Sequence, residues 1–181
     1  MDLRGDALME AILVTDRDGA TGLSSDLKAR LSALLHERGH RVEVVDLGCG
    51  DAAPCRGCLL CLTRHPGRCV AVDAVARIAA RLHLAREGAI TVFITPALFG
   101  HFSSVVKNAV DRGAGSRRLQ VFIGYGGDID EEEERTFIDL VAKHRGAADI
   151  VHPGMDREVL VFVTRSVEDN AAICESLGRR L

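Results

Sequence analysis

The stretch MEAILVTDRDGATG, residues 9–22, decides the fold. Its first six residues, Met9 to Val14, form a short apolar, β-prone run, and a polar loop containing Gly19 and Gly22 follows at once. A strand that ends in a glycine-bearing loop and passes into a helix is the opening of a βα unit. The helix is expected from Thr21 to Arg38, because Leu27, Leu31, Leu34 and Leu35 recur at helical spacing. Gly39 stands where a helix commonly stops.

Outward from this unit, the same alternation repeats along the chain. A second strand is expected from Arg41 to Leu47, a third from Ala89 to Thr95 with Pro96 marking its end, and a fourth from Leu119 to Gly124. The last is expected from Val159 to Thr164. Helical periodicity runs from Val72 to Ala85, from Ser103 to Arg112, from Ile129 to Lys143, and onward from Ser166, with Asp169 placed for capping. Glu131 to Glu134 fall in the first turn of their helix, where negative charge meets the positive helix end. The segment from Ala148 to Val151 is compatible with an extra strand. Five βα units predict an α/β, doubly wound, five-stranded parallel sheet covered on both faces by helices, and residues 1–181 read as one domain. Ligands of such sheets bind at the carboxyl ends of the strands, so the loops after the first four strands are the ones that matter.

Composition agrees with an ordinary globular chain: 181 residues are 47% hydrophobic and 27% charged. The formal charge of -3 gives no basic face for nucleic acid. No apolar stretch approaches the roughly 20 residues of a membrane helix, and the N-terminus, with Asp2 and Asp6, lacks the plan of a signal peptide. A cytoplasmic location is expected, where six cysteines remain reduced.

Four of those cysteines crowd into the one region without periodicity, residues 48–71, which reads as a cysteine-rich insertion after strand two. Cys55, Cys58, Cys61 and Cys69 have the form C-x2-C-x2-C-x7-C. Three thiolates two residues apart can wrap one polymetallic centre, and the turn at His65-Pro66-Gly67 returns the fourth, which favours a [4Fe-4S] cluster. Zinc, more often held by two separated C-x2-C pairs, is the other candidate. Arg56, Arg64 and Arg68 offset the negative charge of such a centre. Cys49 and Cys174 lie outside the motif and are read as structural.

The run from Pro54 through Cys69-Val70 and Asp73, together with Thr95-Pro96-Ala97-Leu98-Phe99-Gly100, Lys107 and Asp111-Arg112, resembles the NAD(P)H-dependent FMN reductase superfamily. Within it the iron-sulfur flavoproteins are the most similar. The resemblance implies a flavodoxin-like subunit that binds FMN and a [4Fe-4S] cluster and assembles as a dimer or tetramer. It implies an oxidoreductase or electron-transfer protein, with NAD(P)H or ferredoxin as electron donor. Thr15, Arg17, Thr21, Gly22 and Leu23 would then hold the phosphate at the first helix N-terminus. Pro96, Ala97, Leu98, Phe99 and Gly100 would lie along the flavin ring, and Tyr125, Gly126 and Gly127 would close its other side. Asp16 and Asp18 put two carboxylates beside that phosphate, which repel it unless they point away. Lys107 and Asp111 are spaced to pair on one helix face, with Arg112 beside them. No Ser-His-Asp set or paired-carboxylate motif is legible, so no catalytic side chain is assigned. A flavin-free binding or redox-sensing module whose cysteines hold zinc or a cluster is the alternative reading.

Overall fold

The structure, a computed structural model, describes residues 9–65, 68–84, 89–113, 118–151 and 158–181. Five parallel strands form one sheet: β1 Met9–Asp16, β2 His40–Leu47, β3 Ile90–Pro96, β4 Leu119–Tyr125 and β5 Glu158–Thr164. Their order is β2-β1-β3-β4-β5. That order settles which doubly wound arrangement the chain adopts; it is the flavodoxin-like one.

Strand alternation sorts the core into two layers. Ala11 and Leu13, with Ile90, Val92, Ile94, Val121 and Ile123, face one side of the sheet. There they pack on α1 (Gly22–Glu37) through Leu27, Leu31 and Leu35, and on α6 (Val167–Gly178) through Ile173 and Leu177. Ile12, Val14, Phe93 and Phe122 face the other side, against α3 (Ala74–Leu84), α4 (Ser104–Asp111) and α5 (Glu131–Val151). Phe93 and Phe122 stack with ring centres 4.8 Å apart, and Phe102 meets Phe122 at 5.7 Å and the edge of Phe137 at 5.3 Å. Each such ring contributes roughly 1.5–3 kcal/mol by burial. Phe102 thereby ties the loop after β3 to the core.

Helix starts follow side-chain chemistry. Thr21 and Ser24 form a reciprocal capping box on α1, as Ser166 and Asp169 do on α6. Gly39 adopts φ 78 just beyond α1. Two elements are ones the sequence pattern leaves open. A single-turn helix α2, Leu60–Thr63, interrupts the cysteine loop. Residues 148–151 continue α5 instead of forming a strand, because a short apolar run following a long helix propagates it at little cost.

Candidate functional site

Strand register brings the carboxyl ends into one row. Asp16 pairs with Leu47, Thr15 with Ile94, Pro96 with Tyr125 and Tyr125 with Thr164. The first loop leaves β1 with the Arg17 N–H donating to the Leu47 carbonyl at 2.8 Å. Asp16 is buried, and its Oδ1 accepts the N–H groups of Asp18 and Gly19, both at 2.9 Å. Asp18 turns the opposite way, its Oδ2 accepting the Cys49 N–H at 2.5 Å. One acid is therefore engaged by the loop's own amides and the other by the exit of β2.

The start of α1 is where the loop is open. Thr21 Oγ1 accepts the Ser24 N–H at 3.3 Å, and the Gly22 and Leu23 N–H groups bond no described residue. Two free amides at a helix N-terminus attract an anion. Arg17, the loop's cation, reaches across Gly48 to place Nη2 3.0 Å from Asp51. A β-carbon on Gly48 would collide with that guanidinium. The Thr15 hydroxyl donates to Asp46, its partner across the β1–β2 pair. Tyr125 supports the loop from below: its ring is buried on the α1 and α6 face, and its Oη donates to the Gly19 carbonyl at 2.9 Å. Burial pushes its phenol up to about 12.

The loop after β3 meets the first one directly, since a β-carbon on Gly19 would stand 2.9 Å from Pro96 Cγ. The Ala97 N–H donates to the Tyr125 carbonyl at 3.0 Å, and Leu98 and His101 exchange two backbone hydrogen bonds. The turn between them holds Phe99 at φ 51 and Gly100 at φ 73. A phenylalanine in the left-handed region is strained by about 1–2 kcal/mol, and such strain collects at functional loops. Gly100 has no alternative, because a β-carbon there would lie 2.5 Å from Thr136 Cβ on α5. The turn presents Phe99, 85% exposed, and Leu98, 54% exposed. Gly126 packs on Ile129, whereas Gly127 faces open space.

The cysteine loop is anchored at its two ends. Asn108 Nδ2 on α4 donates to the Ala52 carbonyl at 3.1 Å. Arg112, buried at the end of α4, donates to the Ala53 carbonyl at 3.1 Å and grips both oxygens of Asp73, with Nη2 to Oδ1 at 2.9 Å. Asp73 also accepts the Ala53 and Ala76 N–H groups. Burial opposes ionisation of Asp73, but these hydrogen bonds overcome it and hold its carboxyl at about 2. Between the anchors, Cys55 and Cys58 are exposed, and Cys61 and Cys69 are half-buried. Burial pushes the Cys61 thiol up, and the neighbouring Cys69, Cys55 and Cys58 push the same way. Among the described residues, no three His, Cys, Asp or Glu side chains converge closely enough for a single metal ion.

Lys107 and Asp111 form the expected surface pair, at 2.6 Å. Arg112 belongs instead to Asp73, 39 residues earlier. Its role, and those of Asp51 and Asn108, are invisible to local spacing. The one signal is that Asp73 and Arg112 occur together in the motif set that flanks the cysteines.

A parallel sheet in this order, with an open helix N-terminus beside a strained turn at its carboxyl edge, defines a flavodoxin-like α/β scaffold. The sequence pattern of the NADPH-dependent FMN reductases matches residues 17–130, more than half of the chain, and the chain belongs to that family. Among solved structures, an NAD(P)H:quinone oxidoreductase from Methanothermobacter marburgensis superposes with a TM-score of 0.66 at 18% identity, over 96% of this chain and 97% of that one. An azoreductase from Bacillus anthracis str. Sterne superposes with a TM-score of 0.57 at 15% identity, over 96% and 98%. At these identities the likeness is one of fold. No curated protein sequence matches significantly.

Proposed function

We propose that the protein is an FMN-dependent oxidoreductase, reduced by NAD(P)H or a ferredoxin, whose loop cysteines hold a [4Fe-4S] cluster beside the flavin. One observation carries the reading: the open first turn of α1, the apolar turn at Leu98-Phe99 and the root of the cysteine loop share one edge of the sheet. The amides of Gly22 and Leu23, the Thr21 hydroxyl and Arg17 suit the flavin phosphate, Arg17 after leaving Asp51. Thr15 contributes through the β1 end rather than through its hydroxyl, which is held by Asp46. Pro96 to Gly100 flank the ring on one side, and the backbone from Tyr125 to Gly127 on the other.

Bound FMN supplies exchange between two-electron and one-electron chemistry, and a bound cluster supplies one-electron transfer. The chain's own residues bind, orient and exclude water. Cys55, Cys58, Cys61 and Cys69 are the ligand set, on the strength of their C-x2-C-x2-C-x7-C spacing. Residues 1–181 act as one domain, with 48–71 as the cluster-binding insertion. The described helices include none long and apolar enough to cross a membrane, and reduced thiols suit the cytoplasm. A homodimer or tetramer would bring cluster and flavin of different subunits together.

The flavin-free module is favoured by a different observation: Asp16 already satisfies the Asp18 and Gly19 amides. Anaerobic purification followed by visible absorption and by flavin, iron and zinc analysis separates the two. Flavin peaks with a broad cluster shoulder are expected. A colourless protein containing zinc would overturn the proposal in favour of the module.

A further inference from the structure

We propose that Asn170 is the positioning residue of the flavin-phosphate turn, holding the first turn of α1 so that its open amides are aimed at the anion. The inference rests on the reading that this turn receives the FMN phosphate. Its basis is a buried junction between α6, β5 and α1. Asn170 stands in the first turn of α6 and is fully buried. Its Nδ2 donates to the Leu23 carbonyl at 3.0 Å and to Asp26 Oδ2 at 2.9 Å. Its Oδ1 accepts the hydroxyl of Thr164, itself buried at the end of β5, at 2.7 Å. A carbonyl and a carboxylate only accept, so the amide can face them in one orientation, which the Thr164 hydroxyl fixes from the other side. Both donors of one side chain are thus spent on the start of a helix 144 to 147 residues earlier in the chain.

That arrangement exceeds what helix docking requires. Leu27, Leu31 and Leu35 of α1 already share one apolar core with Ile173 and Leu177 of α6, and each helix start has its own capping box. A buried polar network with every member satisfied rigidifies the place where it stands. Here that place is the turn of the open Gly22 and Leu23 amides: Leu23 leaves its N–H free among the described residues while Asn170 holds its carbonyl. Donors fixed before the ligand arrives need not be ordered when it binds. Asn170 acts on charge as well. Asp26 lies about one turn along α1 from Gly22, where a free carboxylate opposes an incoming phosphate. Asn170 and Arg30, the latter at 2.8 Å, both hold its Oδ2.

Two flavins separate positioning from plain structure, because riboflavin has the ring of FMN without its phosphate. The full chain and its N170A and N170D variants, freed of flavin, are titrated with each, and dissociation constants are read from flavin fluorescence. The parent should bind FMN about tenfold or more tighter than riboflavin, since only FMN brings charge to the helix start. N170A should weaken FMN binding by about tenfold and leave riboflavin binding within about twofold. N170D keeps the shape but turns an oxygen toward the Leu23 carbonyl and the Asp26 carboxylate, so it should weaken FMN further and still spare riboflavin. Equal losses for the two flavins, or unchanged FMN affinity, in variants of an FMN-selective parent would overturn the role of Asn170 and leave the phosphate reading standing. If circular dichroism shows that neither variant folds, T164V, which removes the hydroxyl that orients the amide, decides by the same FMN-to-riboflavin ratio. A parent that binds both flavins equally would sink the phosphate reading and the role of Asn170 with it. A parent that binds neither would overturn both.

Discussion

Two loops at the same edge of the sheet are built in opposite ways. The loop after β1 needs only five residues to reach α1, and it is held along its length: Asp16 bonds two of its amides, Tyr125 supports Gly19, and Thr21 caps the helix beyond. The loop after β2 runs from residue 48 to the start of α3 at Ala74, and its described anchors lie near its ends, at Asn108, Arg112 and Asp73. Between them stand the four cysteines and one turn of helix. A short loop can shape an anion site from backbone alone, whereas a long one fixes its ends and leaves the middle to be organised by what it binds. The two are joined at their roots, where Asp18 accepts the Cys49 N–H and Arg17 meets Asp51.

Replacing the one cation of the first loop probes that difference most strongly. Arg17→Ala should weaken FMN binding by about 1.5–3 kcal/mol, roughly 10- to 100-fold, while the Gly22 and Leu23 amides still contribute. Flavin titration of the apoprotein measures it, and iron content should stay at the parent level. Unchanged flavin affinity would place the phosphate elsewhere.

The second loop should respond to acid through Asp73. Asp73 is held at about 2 when folded, below the roughly 3.9 of a free aspartate. Its contribution is therefore fully present above pH 4 and disappears as pH falls toward 2. Parent protein should lose about 1–2 kcal/mol of stability across that window through this group, and Asp73→Asn should lack that part of the slope. Urea unfolding midpoints between pH 2 and pH 5 would show it. Parallel pH curves for parent and variant would contradict the assignment.

The sequence reveals local features far better than distant ones. Thr21, Ser103 and Ser166 are readable as helix starts because each cap acts within three residues. The buried strands are readable because a parallel sheet covered on both faces demands near-continuous apolar runs. Alternation also places the tyrosine: Leu119, Val121, Ile123 and Tyr125 share one strand face, which turns the tyrosine ring into the core beneath the first loop. The end of α5 is ambiguous by nature, since a run as short as residues 148–151 fits helix and strand equally. Arg112 is a different kind of omission. A nearby lysine and aspartate fit the (i, i+4) rule, and nothing local shows that the arginine beside them holds Asp73, 39 residues away. Asp51 escaped for the same reason, lying across the β1–β2 edge from Arg17.

Iron analysis of Cys58→Ala beside the parent tests the central claim most directly, namely that a flavin site and a cysteine centre are separate places on one scaffold. Cys58 is exposed on the inserted loop and no part of the sheet core. The account predicts that the variant loses its iron while its far-UV circular dichroism and flavin content match the parent. Equal iron in both proteins, or joint loss of iron, flavin and fold, would contradict it.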